Sequence, residues 1–598
     1  MEGEMPQLPP GLGAEAPAQA SAETAQRFYR FLEDAFDRQL QRSPMTSQAL
    51  LGRKDLQDRW DDLSDAAADE SIAETRHDLA RLQAEFNPDD LPQNAQLSYR
   101  LFEYEANARL EADAFRYHDY PVNQMTGWQS SIPTFLNNVH RIDTIEDAEA
   151  YVSRLEGVRP LVDQIIAGLE ERARKGILAP KFVYDKVIRD CRNLLQGVPF
   201  HAAGTESTWF ADFKTKVDNL SIAYKMKPQL MRSAIGAIVA YVGPAYRDLI
   251  VAAARLEALA TTDDGAWKLP QGAEFYAHAL KRITTTGLSA EDIHQFGLQE
   301  VSRIHGEMED VIRDIGFEGD LQSFFRHVND SSEFVYSNDE GGRTAYLTEA
   351  TRVVDEMYAK LSTAFKTMPK AKLIVKRVEA FREQSAGLAF YEMPASDGSR
   401  PGVYYVNMSN MAVLKKFQLE ALAYHEGVPG HHMQLAIAGE LVGIPSFQKF
   451  GFHTAYAEGW GLYSELLAKE LGGYRDAISD FGRLAMELWR ATRLVVDTGI
   501  HAKRWTRARA ITYLREVTPN PDAEIVGAVE RYIVLPGQAT AYKVGMRRIV
   551  DLRSRSRTAL GSSFDLGEFH DIVLSYGAVP LDILDQLVEE WIRSKSSG

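Results

Sequence analysis

Apolar residues recur every three or four positions along most of the chain, which is the spacing of one face of an amphipathic helix. The first such segment carries Phe28, Leu32, Phe36 and Leu40. The same spacing continues through residues 79–86, 101–110, 148–174, 230–259, 275–283, 290–315 and 348–365, and returns from residue 418 to the C-terminus. We therefore predict a mainly helical fold.

The pattern changes over residues 372–410. Segments 372–379, 388–393 and 403–407 are short and rich in β-branched and aromatic residues, and residues 394–402 between the last two are rich in Gly and Pro. We expect a small β-ribbon or sheet here. It directly precedes the segment, residues 418–470, that carries the candidate chemistry.

The first 24 residues are rich in Pro, Ala, Gly and Glu, without the basic and apolar regions of a signal peptide. We predict a disordered tail. Over the whole chain, 45% of residues are hydrophobic and 25% are charged, which are ordinary values for a globular protein. We treat residues 25–598 as one domain.

The balance of charge argues against one class of partner. Lys and Arg number 67 against 84 Asp and Glu, a net charge of −17, so the chain lacks the basic field that binds nucleic acid. The single cysteine, Cys191, favours a reducing compartment, and we expect a cytoplasmic protein. No stretch reaches the ~18 uninterrupted apolar residues of a membrane-spanning helix, so no membrane partner is expected.

One segment carries the residues of a metal site. In the common zinc hydrolase motif, two histidines one helical turn apart bind the ion, and the glutamate after the first is the general base. Here His425 and Glu426 begin such a motif, but Pro429 occupies the position of the second histidine. The next histidines are His431 and His432. In an unbroken helix His431 would lie about 120° around the axis from His425, and His432 about 10.5 Å further along it. Neither could bind the same ion as His425.

A break in the helix removes this difficulty. Pro429 cannot donate a hydrogen bond to the carbonyl of His425, and Gly430 allows backbone angles that other residues avoid. We therefore predict an interrupted helix and a zinc ion bound by the first histidine and one of the later two. His431 is the preferred ligand and His432 the alternative. The other histidine would hydrogen-bond substrate or a transition-state oxyanion.

The third ligand is expected on a neighbouring helix. Glu458 and Glu465 are seven residues apart and therefore lie on one helical face. Glu458 is the candidate ligand, and Glu465 would orient a histidine that binds the ion. The small residues Gly459 and Gly461 allow this helix to approach its neighbours closely.

The two motifs, His-Glu-x-x-Pro-Gly-His-His-x-Gln from His425 and Tyr-x-Glu-Gly-Trp-Gly-Leu-Tyr-x-Glu from Tyr456, resemble the bacterial family called domain of unknown function 885. That family is similar to the helical zinc peptidases that include thimet oligopeptidase, angiotensin-converting enzyme and thermostable carboxypeptidases. The resemblance implies a two-lobed helical body around a deep cleft. It also implies a gluzincin-type site formed by His425, Glu426, Glu458 and either of the two later histidines.

The ribbon before the metal helix also resembles the family pattern. In the related peptidases an extended substrate pairs with a strand at this place. Arg400, Tyr404, Tyr405 and Asn407 are therefore predicted to bind substrate. A turn with a purely structural role is the alternative.

Residues 536–545 resemble the segment in which the related peptidases hold a tyrosine over the scissile carbonyl. Tyr542 is the candidate oxyanion donor, and Tyr532 is the alternative. Gln538 and Lys543 are candidate substrate contacts.

Arg493, Asp497 and His501 recur every four residues, so on a helix they form a polar stripe in an apolar stretch. We predict a buried network beside the active site. Within this network, His501 is predicted to take part in catalysis, and Asp497 is predicted to support the metal ligands from behind. A salt-bridge cluster that braces the fold is the alternative.

These residues together predict a zinc metallopeptidase that acts on short peptides. The metal acidifies a water molecule and Glu426 accepts its proton. A zinc hydrolase of a nonpeptide amide or ester is the second hypothesis, and a helical binding protein with a vestigial metal site is a third. The pattern does not distinguish exopeptidase from endopeptidase action or indicate an oligomeric state.

Overall fold

The computed structural model describes residues 19–379, 383, 387–394 and 400–596. Within this part of the chain two compact units can be separated. One holds residues 19–275 together with Pro445–Phe447, and the other holds Tyr276–Ile444 and residues 448–596.

The first unit is helical. Its helices are α1 (Gln19–Arg42), α2 (Pro44–Leu51), α3 (Asp65–Glu85), α4 (Gln93–Ala112), α5 (Trp128–Asn138), α6 (Ile145–Arg174), α7 (Lys181–Leu194), α8 (Thr208–Asp218), α9 (Lys227–Ala237), α10 (Gly243–Leu259) and the start of α11 (Gly272–Thr284). α1, α3 and α4 bury their apolar faces together, with Phe28, Leu32, Leu82 and Tyr99 in the shared core. The periodic positions of the sequence therefore mark the packed faces.

The second unit contains a small sheet and the C-terminal helices. The strands are β1 (Leu373–Arg377), β2 (Ala389–Glu392) and β3 (Gly402–Val406). The helices are α12 (Ala290–Asp314), α13 (Leu321–Asp330), α14 (Glu340–Tyr358), α15 (Leu419–Glu426), α16 (His431–Glu440), α17 (Ser446–Lys449, which begins in the first unit), α18 (Thr454–Glu470), α19 (Ala477–His501), α20 (Arg507–Val517), α21 (Asp522–Val534), α22 (Ala541–Leu560), α23 (Leu566–Leu574) and α24 (Leu581–Ser596).

Two long helices of this unit begin at reciprocal caps. Ser289 and Asp292 exchange side-chain to backbone bonds at the start of α12, and Asp476 and Ser479 do the same at the start of α19. Each cap satisfies two backbone N–H groups that the first helical turn would otherwise leave unpaired. The sequence therefore defines where these helices start.

α9 and α10 join through a π-helical turn at Ile238–Val242 into one helix, Lys227–Leu259. By length and composition alone this helix is long and apolar enough to cross a membrane, and 44% of its most apolar window is buried. Core helices of proteins that never enter a membrane have the same features. The expected absence of a membrane-spanning helix therefore stays a prediction.

The sheet has the order β1-β3-β2, with β3 parallel to β1 and antiparallel to β2. Val378, Val403 and Tyr405 form a small apolar core on it, against which Ile374 and Phe390 pack. β3 is the central strand, so both of its edges are already paired.

Glycines determine how closely the helices around the candidate site approach one another. A Cβ at Gly459 of α18 would lie within 2.5 Å of the backbone of Gly545 on α22. A Cβ at Gly297 of α12 would lie 2.7 Å from the Cβ of Leu494 on α19. Because a larger residue would separate these helices, the close approach predicted for Gly459 is confirmed.

The mainly helical fold with a small sheet inside residues 372–410 is confirmed. α1 begins at Gln19, inside the range predicted as a tail. Residues 1–18 lie outside the described residues, as do residues 395–399 of the predicted turn.

Candidate metal centre

The helix that carries the metal motif stops and restarts. α15 ends at Glu426 and α16 begins at His431, so the predicted break is confirmed. A Cβ at Gly430 would overlap the carbonyl oxygen of His425, and only glycine fits this bend.

Side chains of α18 pair with the carbonyl groups that the break leaves free. Trp460 Nε1 donates to the carbonyl oxygens of Pro429 at 3.0 Å and Gly430 at 3.2 Å. Ser464 Oγ donates to the Pro429 oxygen at 3.2 Å. A buried carbonyl without a partner costs roughly 1–3 kcal/mol, so these bonds stabilise the bend.

The bend brings two histidines and a glutamate together. His425 Nε2 lies 3.5 Å from Glu458 Oε2, and His431 Nε2 lies 3.7 Å from the same oxygen. The three ligand atoms lie within 4.8 Å of one another. Ligands at ~2.0–2.1 Å from a tetrahedral zinc ion are about 3.4 Å apart, and zinc binds imidazole nitrogen and carboxylate oxygen. The donor set therefore fits zinc.

Glu465 makes the contact predicted for it. Its Oε1 lies 2.8 Å from His425 Nδ1, which leaves the Nε2 of that histidine for an ion. Burial lowers the pKa of His425, but the hydrogen bonds to Glu458 and Glu465 outweigh this and raise it to about 9. Burial raises the pKa of Glu458, but His425 and His431 outweigh this and hold it well below its ordinary value. The site therefore stabilises a carboxylate beside a positive charge, which a metal ion can supply.

His432 lies outside this group. Its Nε2 is 3.1 Å from the carbonyl oxygen of Ala371, and its Nδ1 is 3.0 Å from the hydroxyl of Tyr391. The side chain is fully buried, and this burial lowers its pKa to about 4. With both ring nitrogens engaged, His432 has none left for an ion or an oxyanion. Of the two alternatives, the structure brings His431 to the group.

Glu426 is the last residue of α15 and directly follows His425. It is 8% exposed, and among the described residues its carboxylate has no hydrogen bond or ion pair. Its charge helps to raise the pKa of His425. An unpaired carboxylate thus lies next to the candidate ligands.

Most of the ribbon residues predicted to bind substrate instead make contacts within the protein. Tyr404 is fully buried, Tyr405 lies in the small core of the sheet, and the Asn407 amide donates to a backbone carbonyl at 2.7 Å. Arg400 is exposed and pairs with Glu392 at 2.9 Å. The two tyrosines and the asparagine are at most 8% exposed, so they offer a substrate little side-chain surface.

Lys543 also lies away from any substrate surface. It is 2% exposed, and its ammonium group is held by Glu300 at 2.9 Å and by Glu487. Arg303 and Arg483 pair with Glu487 as well. The predicted substrate contact of Lys543 is therefore corrected to a place in a buried ion-pair cluster.

Two residues of the polar stripe, Asp497 and His501, brace the fold. Tyr276 donates to Asp497 at 2.6 Å, and the Gly537 N–H donates to both carboxylate oxygens of that aspartate at 3.0 and 3.2 Å. His501 Nε2 lies 2.9 Å from the carbonyl oxygen of Tyr532, and burial lowers its pKa to about 4. These bonds join Asp497 to Tyr276 and Gly537, and His501 to Tyr532, rather than to the metal group, so the bracing alternative fits better than the predicted roles.

Tyr542 lies beneath a cation. The Cζ of Arg493 is 4.6 Å from its ring centroid, and the tyrosine is 8% exposed. Gln538 accepts a bond from Arg531 at 2.9 Å. The oxyanion role of Tyr542 and the substrate contact of Gln538 stay predictions.

Four residues of the site were missed from the sequence. They are Trp460, Ser464, Tyr391 and Arg490, whose guanidinium lies 4.0 Å from Glu465. The position of the tryptophan between two glycines was one available signal. The others come close only through the packing of distant segments.

Residues 46–588 match the family described as "Bacterial protein of unknown function (DUF885)". The chain belongs to this family. A solved structure described as "the putative lipoprotein from Colwellia psychrerythraea" is 31% identical with a TM-score of 0.89, over 96% of this chain and 100% of that one. A second, "a putative lipoprotein of unknown function from Shewanella oneidensis", has the same fold at 19% identity and a TM-score of 0.72, over 94% and 99%. No curated protein matches.

Replacing both Pro429 and Gly430 of this DUF885 chain with alanine should remove the bend. Alanine restores the missing backbone donor and favours a continuous helix. We expect zinc affinity to fall by more than the roughly 10–100-fold that loss of an outer-shell partner costs. Competition with a chelator of known affinity measures this, and circular dichroism checks that the fold survives.

Gly439→Ala is the matched control, because a Cβ there meets only the end of Met393, at 3.6 Å. Its zinc affinity should equal that of the parent. If the double variant also binds zinc as tightly as the parent, the bend is not required for the site.

Asp497 should make stability depend on pH. Burial raises its pKa from 3.8 to about 7, although the bonds from Tyr276 and Gly537 act in the opposite direction. The folded state then binds this proton more tightly than the unfolded state, so stability falls as pH rises from about 4 to about 7, by up to about 4 kcal/mol. In Asp497→Asn, which keeps an acceptor but does not titrate, the melting temperature should fall less over this range.

Asp551→Asn, which removes an exposed carboxylate of α22, serves as the control and should follow the parent. Equal pH dependence of melting in Asp497→Asn and the parent would contradict the assignment.

Proposed function

We propose that this protein is a zinc-dependent hydrolase that cleaves peptides. The observation that carries the proposal is the convergence of His425, His431 and Glu458 within 4.8 Å, beside the unpaired carboxylate of Glu426. Two histidines and a glutamate leave one position of a tetrahedral ion open, as a catalytic zinc site requires. A purely structural metal site would have no use for the unpaired carboxylate of Glu426.

A bound zinc ion would supply Lewis-acid polarisation of a carbonyl and acidification of water. The protein's own residues would do the rest. Glu426 accepts a proton from water at its unpaired carboxylate and delivers it to the leaving nitrogen. Glu465 holds the ring of His425 through Nδ1, so that Nε2 keeps its direction.

An unpaired strand edge supports a peptide as the substrate. β2 packs against α15, and within the described residues it pairs with β3 along one edge. The Leu388 carbonyl accepts from Asn407 N–H at 2.9 Å, so the alternation of an antiparallel pair turns the backbone groups of Ala389 and Tyr391 to the other edge. An extended peptide can add to such an edge as a further strand.

Tyr391 connects this edge to the metal helix. Its hydroxyl bonds to His432, and a Cβ at Gly402 would lie 2.8 Å from the Nδ1 of the same histidine. His432 therefore fixes the distance between β2 and α16. A peptide on the β2 edge would run past the metal group in a defined position, which favours peptides over small esters.

The purified protein, reconstituted with zinc and dialysed, should contain about one zinc ion per chain. His431→Ala should lose most of this zinc, because it removes a ligand. His432→Ala is the matched control and should keep it, because that histidine bonds to Tyr391 and Ala371 instead. Elemental analysis measures both. Metal content near background in the parent would refute the zinc site. Zinc loss in His432→Ala but not in His431→Ala would mean that His432 is the ligand instead of His431.

Glu426→Gln should keep the zinc but lose roughly 10²–10⁴-fold in peptide hydrolysis, since glutamine cannot accept the proton. A peptide library digested by the zinc-loaded protein and read by mass spectrometry first identifies a substrate. Glu470→Gln, a partly exposed carboxylate of α18 paired with Arg553, is the control and should match the parent. Hydrolysis within a few-fold of the parent in Glu426→Gln would exclude it as the base.

A further inference from the structure

Arg493 of α19 is a cation without a carboxylate partner among the described residues. Its Nε is buried and has no hydrogen-bond partner. The guanidinium instead contacts aromatic rings, 4.6 Å from the centroid of Tyr542 and 5.9 Å from that of Trp489. Lys543 and Arg483, which are fully buried in this unit, are each held by at least two carboxylates.

The ring contacts do not compensate for the burial of this charge. A cation on an aromatic face gains about 0.5–2 kcal/mol. Removing a guanidinium from water costs several kcal/mol unless an anion pairs with it. Arg493 still keeps part of its surface accessible, so a ligand can reach it. An arriving anion would therefore be stabilised here.

A second polar group lies beside it. The hydroxyl of Tyr532 is buried and makes no short hydrogen bond, and the Arg493 guanidinium lies near enough to act on it. Burial raises the pKa of Tyr532, and Arg493 partly lowers it again, so the phenol and the cation act on each other. A carboxylate presents two oxygens, one of which suits the guanidinium and the other a hydroxyl donor.

The cation lies on the helix that contacts the residues around the candidate zinc ligands. Arg490, one turn earlier on α19, lies 4.0 Å from Glu465, which holds His425. Arg493 follows about 4.5 Å further along the helix axis. It also interacts electrostatically with Glu458. A bound metal ion would neutralise that glutamate and leave the arginine free for substrate.

We propose that Arg493, assisted by the Tyr532 hydroxyl, binds a carboxylate of the peptide substrate. This subsite rests on the proposed peptidase function and narrows its substrates to peptides that carry a carboxylate within reach of Arg493. The carboxylate is either the free C-terminus or an acidic side chain, and the experiment distinguishes the two.

The test measures binding to the full-length, zinc-loaded Glu426→Gln variant by calorimetry, so that no peptide is consumed. Three acetylated tripeptides are compared: a neutral sequence with a free C-terminus, the same sequence as the C-terminal amide, and an amide with one glutamate. One carboxylate peptide should bind at least about tenfold more tightly than the neutral amide, the gain of a charge-assisted pair. The peptide that does so identifies the source. Equal binding of all three overturns the proposal.

Adding Arg493→Gln should abolish the preference, and Arg493→Lys should keep part of it, because lysine retains the charge without the planar fork. Arg547→Gln is the matched control: Arg547 lies 5.1 Å from the Phe296 ring and pairs with Asp551. The Arg547→Gln variant should show the same carboxylate preference as the Glu426→Gln protein. If Arg493→Gln fails to fold, Tyr532→Phe replaces it and should reduce the preference severalfold. A preference unchanged in the folded variant overturns the proposal.

The outcome separates the subsite from the proposed function. Hydrolysis with zinc but without a carboxylate preference would refute the subsite alone. A carboxylate preference that depends on Arg493, in a protein that holds no zinc and cleaves no peptide, would refute the proposed function alone.

Discussion

The candidate centre depends on a helix that is interrupted in the interior of the protein. In a continuous helix His425 and His431 would point about 120° apart, and the break turns both toward Glu458. Such a break frees buried carbonyl groups, which is costly. The indole of Trp460, on the helix that also carries Glu458, bonds to two of them. One helix therefore supplies both the third candidate ligand and the group that keeps the two candidate histidines in place.

Close packing holds that helix where it can do both. A Cβ at Gly461 would lie 2.7 Å from Cε1 of His425, and one at Gly459 would collide with the backbone of Gly545. The absence of side chains at these two positions lets the imidazole and α22 lie directly against α18. A packed interior transmits small displacements, because few voids exist to absorb them. Two glycines, neither of which could bind a metal, therefore set the positions of the candidate ligands.

Buried charges in this interior fall into two groups, those with oppositely charged partners and those without. Lys543 and Glu487 are buried, and each has at least two oppositely charged partners. Glu426 and Arg493 have none among the described residues. Unpaired charges in a well-packed protein are unfavourable for folding, and this is the basis of the catalytic and substrate-binding roles proposed for these two residues.

Local information in the sequence determined much of this protein. The helical spacing, the change to strands near residue 372, the break at Pro429 and the glutamates seven residues apart all follow from backbone geometry over short distances, and all are present in the structure. The choice between His431 and His432 was made by Ala371 and Tyr391, which occupy both nitrogens of His432 from a separate segment. Lys543, Tyr404 and His501 were assigned to a site but lie in the interior, because their partners are tens to hundreds of residues away in sequence. A pattern along the chain reports which residues share a face of a helix; only tertiary packing decides what that face meets, since burial and pairing depend on segments that the local sequence does not specify.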